Sequence, residues 1–119
     1  MTRLRIGFLA AVIAAPLAAC GGAPKPEARM ASSEGAIRGA QEAGASNVPQ
    51  ATLYLQLAQE ERDQAVQLVK DEKNHRAEMM LARSEADAEL AVALARAAHA
   101  THEAQEATEQ IRDLKEKAQ

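Results

Sequence analysis

Residues 49–98 read PQATLYLQLAQEERDQAVQLVKDEKNHRAEMMLARSEADAELAVALARAA. Pro49 is the last proline, and no glycine follows it, so the final 70 residues contain no strong helix stop. Apolar residues recur at three- and four-residue steps. Ala51, Tyr54, Leu55, Ala58, Ala65, Leu68 and Val69 form one stripe, and Ala77, Met80, Leu81, Ser84, Ala88, Ala91, Leu94, Ala95 and Ala98 form another. That period places each set on one face of a helix. The polar run DEKNH, residues 71–75, is the only cluster in this stretch suited to a turn. Two helices are predicted, over about 48–72 and 75–117, and their small facing residues favour an antiparallel hairpin.

Working outward, Ala36, Ile37, Ala40 and Ala43 predict a short first helix over about 32–43, lying across the open side of the hairpin. Ser32 or Ser33 is the expected amino-terminal cap and Gly44 the expected carboxyl-terminal one. Asn47 is expected to cap the second helix, with Pro49 in its first turn, and Asn74 the third. Tyr54 is expected to fill the gap between helices two and three beside Met80. Beyond Ala98 the pattern thins to Ala104, Thr108, Ile111 and Leu114, so this end is expected to project into solvent or meet a partner. The predicted fold class is all-α. Within residues 20–119, Ala, Glu, Lys, Leu and Arg supply 56 of 100 positions, a helix-rich composition. Leu, Ile, Val and Phe supply only 14, so the core is expected to be thin.

The amino-terminal segment has a different character. Arg3 and Arg5 precede the uncharged run IGFLAAVIAA, residues 6–15, and Pro16 and small residues lead to Cys20. This basic, apolar, small layout is that of a secretory signal. The apolar run is shorter than the roughly 20 residues a membrane-spanning helix needs. GGAPKPEA, residues 21–28, holds two prolines and two glycines and reads as a flexible tether. The expected division is signal 1–19, lipidated cysteine and tether 20–30, and helical domain 31–119.

Leu17-Ala18-Ala19-Cys20 resembles the lipobox of bacterial lipoproteins. The resemblance implies cleavage between Ala19 and Cys20, a diacylglycerol on the Cys20 sulfur, and usually acylation of the new amino terminus by a chain such as palmitate. Gly21 is not the aspartate that retains such proteins at the inner membrane, which implies the periplasmic face of the outer membrane. The alternative is an ordinary signal peptide with an incidental cysteine beside its cleavage site. Residues 32–98 also resemble an alanine-rich bacterial family, catalogued as a domain of unknown function. Its members are small lipoproteins or precede an OmpA-like peptidoglycan-binding domain. The sequence ends at Gln119, so wall binding through such a domain is not expected.

Removing Arg3 and Arg5 from 14 basic residues leaves 12 against 17 acids, a net charge of −5. This acidic balance argues against nucleic acid as a partner. His99, His102 and Glu103 share one helix face, but they lack the His-Glu-x-x-His zinc spacing and a third His or Cys ligand. They are read as solvated surface, and no metal, cofactor or catalytic residue is expected. The expected protein is a lipid-anchored, non-catalytic helical spacer or adaptor. One alternative is a self-associating coiled coil resembling the major outer-membrane lipoproteins. Those are fastened to peptidoglycan by a terminal lysine, whereas here Gln119 is last and Lys117 stands two before it. The other is an accessory subunit of an envelope transport or secretion complex.

Overall fold

A computed structural model describes residues 22–119. The expected signal segment, Ala19 and Cys20 lie outside the described residues. The described chain is all-α and elongated. It has helix α1 (Glu27–Glu42), a single 3-10 turn (Ala45–Asn47), α2 (Pro49–Lys70) and α3 (Asn74–Lys117). α3 has 44 residues, and at 1.5 Å each it extends about 66 Å.

The first helix begins at Glu27, well ahead of its expected start at residue 32 and inside the expected tether. Pro26 cannot donate a backbone hydrogen bond, but its carbonyl accepts one from the Met30 amide at 2.9 Å. A proline at this edge therefore starts the helix and does not prevent it. The early turn is held by tertiary contacts: Arg29 donates to Glu85 at 2.8 Å, and Met30 packs near Leu81.

The expected caps also differ. No serine, Asn47 or Asn74 side chain caps a helix. Ser33 is buried inside α1. The start of α2 is tied by Thr52, whose hydroxyl is within bonding reach of the carbonyls of Ala45 (2.9 Å) and Val48 (3.0 Å). The Asn74 amide donates to the Ala23 carbonyl at 2.6 Å, which fastens the segment before α1 beside the start of α3.

The α1 and α2 ends share one backbone device. After α1, Gly44 adopts φ 78°; after α2, Glu72 adopts φ 59°. At the second, Lys73 N–H bonds to Leu68 O (2.8 Å) and Glu72 N–H to Val69 O (3.1 Å), closing a Schellman motif. Left-handed backbone costs a residue with a Cβ roughly 1–2 kcal/mol, which glycine avoids. Opposite outcomes are expected for two exchanges. Gly44→Ala should destabilise the chain by about 1 kcal/mol or more, since its Cβ would also stand 3.1 Å from His99 Nε2. Glu72→Gly should stabilise it by a similar amount. Urea midpoints moving in the same direction would contradict this.

The core is thin and made mostly of alanine. One cluster gathers Ile37 and Ala40 of α1, Ala51, Leu55 and Ala58 of α2, and Ala88, Ala91 and Ala95 of α3. A smaller one holds Ala65, Ala77 and Leu81, flanked by Met30, Leu68, Val69 and Met80. Tyr54 lies against the first cluster with Val92 and Leu94, whereas Met80 belongs to the second. They are not neighbours in the core, because Tyr54 sits near the start of α2 and Met80 near the start of α3.

Candidate functional site

Between the two apolar clusters lies a polar layer to which all three helices contribute. Ser33 of α1 and Ser84 of α3 are fully buried, with hydroxyl oxygens 2.8 Å apart. Ser84 Oγ donates to the Ala58 carbonyl of α2 at 2.6 Å. Its single proton being committed there, Ser33 is the donor to Ser84. This chain of bonds satisfies both hydroxyls and fixes the registers of α1, α2 and α3 against one another.

Ion pairs surround the layer. Arg29 meets Glu85 at 2.8 Å and Arg62 meets Glu34 at 3.2 Å, joining α1 to α3 and to α2. Glu61 stands 3.6 Å from Arg83, with its side chain 12% exposed. One of its oxygens is buried without a hydrogen-bond partner. Burial, and then the negative charge of Asp87, push the Glu61 carboxyl above its ordinary value of 4.5, against the pull of Arg83. The folded chain therefore holds this proton more tightly than the unfolded chain. The cost to stability is absent below pH 4.5, grows as pH rises through the raised pKa, and is complete above it. Glu61→Gln is accordingly expected to raise the melting temperature at pH 7 and to lose that advantage by pH 4. An equal gain at both pH values would refute the assignment.

Serine hydroxyls bonded to each other and to a backbone carbonyl are committed to structure, and His75, His99 and His102 lie outside this layer. His102 lies 3.6 Å from Glu106, both exposed, and His99 approaches Gly44. Among the described residues no group of three or more His, Cys, Asp and Glu converges to hold a metal ion. No described helix is long and apolar enough to cross a membrane.

The remaining features are surfaces. Leu53 (54% exposed), Leu57 and Leu90 stand out on α2 and α3. Leu53, Tyr54, Leu90, Leu94 and Gln50 wall a shallow groove of about 300 Å³. Every residue from His99 to the carboxyl terminus is exposed, including Ile111 and Leu114 (67%). Sequence reading singled out Ile111 and Leu114 but missed the groove, whose walls come from two helices, and the polar layer. No family model, no curated protein and no solved structure matches the chain.

Proposed function

We propose that this chain is a lipid-anchored, non-catalytic helical spacer or adaptor of the cell envelope, held at the outer membrane through Cys20 and facing the periplasm. Its α2 and α3 form an antiparallel hairpin with α1 across the open side. The pairing of Ala58 with Ser84, and of Ala65 with Ala77 and Leu81, supports that arrangement, since residue numbers rise on one helix as they fall on the other.

One observation carries the spacer reading: the asymmetry of α3. The Asn74–Ala23 bond holds the amino-terminal segment at the start of α3. The other end of the helix, from residue 100 on, is exposed on every side. An anchor at one end and an unburied helix at the other suit a protein that reaches away from its attachment. The exposed Ile111 and Leu114 favour a protein partner for that reach, which keeps the accessory-subunit and self-association readings alive.

Metabolic labelling with a palmitate analogue in a Gram-negative host tests the anchor. The wild-type chain is expected to carry label and sediment with outer membranes. Cys20→Ser is expected to lose the label completely and leave that fraction. An unlabelled wild-type chain would overturn the lipid anchor.

A further inference from the structure

α3 carries a second apolar face, unrelated to its own core. From Ala86 to Ala118 an apolar residue recurs at alternating steps of four and three without a break. Leu90, Ile111 and Leu114 are the large members, and alanine fills every other place. All of these residues are exposed. The core face of the same helix, which includes Ala77, Leu81, Ser84 and Ala88, uses the same spacing two residues out of phase. Two residues turn a helix by about 200°, so the outer seam lies off the core face, with Leu90 at the edge of the groove shared with α2 and the later members clear of α1 and α2. It runs for about 48 Å, which is four to five heptads, the pattern of a coiled-coil strand.

We propose that this outer face pairs with the same face of a second copy of the chain, antiparallel and centred near residue 102. Two independent features select that occupant and orientation. The first is charge. Asp87, Glu89, Lys115 and Lys117 flank the seam near its ends, acids at one end and bases at the other. The antiparallel register sets Asp87 beside Lys115 of the second copy and Glu89 beside its Lys117, and the two-fold axis repeats both pairs. A parallel pairing brings none of these four together, because flanking positions then meet five residues apart. The second is shape. The same register lays Leu114 of the second copy against Leu90, at the groove walled by Leu53 and Tyr54. The most exposed large apolar side chain of the described residues thus meets their exposed apolar groove. Inside the Leu90–Leu114 layers Ala93 faces Ile111, and nearer the axis only alanines meet, which lets the helices approach closely. Glu103 meets its own copy near the axis, the one unfavourable pair in this register.

This inference goes beyond the spacer reading and does not require lipid on Cys20. Where Cys20 is lipidated, the antiparallel pair sets its two anchored ends about 84 Å apart, so the dimer lies along the membrane rather than reaching from it. It is tested on the full chain with Cys20→Ser, in density-matched detergent, by sedimentation equilibrium with helicity recorded on each sample. A dimer is expected. Leu114→Lys lies outside the intrachain core and is expected to weaken it at least tenfold without loss of helix. Lys117→Glu is expected to weaken it several-fold, and adding Glu89→Lys is expected to restore it; Asp87, whose charge acts on Glu61 within the chain, is left unchanged. A monomer at about 100 μM would overturn the proposal, since that is the weak end of specific association. So would a trimer, a dimer indifferent to Leu114→Lys, or a Lys117→Glu loss that Glu89→Lys fails to rescue.

Discussion

Leu81→Ala is expected to remove about 3 kcal/mol of folding free energy, the largest loss from any single truncation in this chain. Among the described residues Leu81 is the largest side chain with no exposed surface. It is also the only large fully buried residue of the smaller cluster, whose other buried members are Ala65 and Ala77. Those alanines sit on helix backbones that cannot collapse into the space a leucine leaves. The lost transfer energy and the residual cavity therefore add. Met30 and Met80 border the site and are flexible enough to fill part of it, which holds the expected loss below the top of the usual range. A domain of this kind has about 5–15 kcal/mol in total, so the variant should lie close to its unfolding threshold at 37 °C. Urea denaturation followed by dichroism provides the measurement. A loss under about 1 kcal/mol would mean that the smaller cluster is not a true core.

Ala91→Leu tests the opposite error and should cost as much, about 3 kcal/mol. Ala91 is fully buried and belongs to the cluster of Leu55, Ala58, Ala88 and Ala95. Alanine there is a spacing device: with no side chain beyond Cβ, α2 and α3 pack close enough for Ser84 to bond to the Ala58 carbonyl at 2.6 Å. Three added carbons have nowhere to go unless the helices separate, and separation would break that bond as well. Ala82→Leu, on an exposed position of the same helix, supplies the control and should change stability by less than about 0.5 kcal/mol. Equal effects at the two positions would show that the alanines of the inner face are not close-packed.

The helical class was legible because alanine dominates and its period survives in the sequence. Leu55, Ala58, Leu81 and Ala88, all picked out by three- and four-residue steps, are buried. Periodicity does not tell which helix covers which residue, so it suggests Met80 as the neighbour of Tyr54, which instead lines a groove with Leu90 and Leu94. Capping residues misled for a different reason. Ser33 has the chemistry of a cap, but it spends its hydroxyl on Ser84, 51 positions away, and no local pattern announces such a bond. Pro24 and Pro26 concealed the true start of α1, since a proline reads as a breaker until the contact that follows it, here Arg29 to Glu85, is known. Glu61 was hidden among 17 acidic residues. Only its position beside Asp87 and Arg83, at the level of the serine pair, sets it apart.

The chain has one tyrosine and no tryptophan, and Tyr54 lies against the larger cluster alone. Its ultraviolet emission therefore watches one half of the molecule, while the half around Leu81 is optically dark. Dichroism, by contrast, sums every helical turn. Comparing the two signals during a melt turns the serine layer into a question about cooperativity. Coincident curves would mean that the buried hydroxyl relay transmits unfolding from one half to the other. A dichroism loss that precedes the Tyr54 signal in Leu81→Ala would mean that the layer is a fault line, along which the dark half opens first.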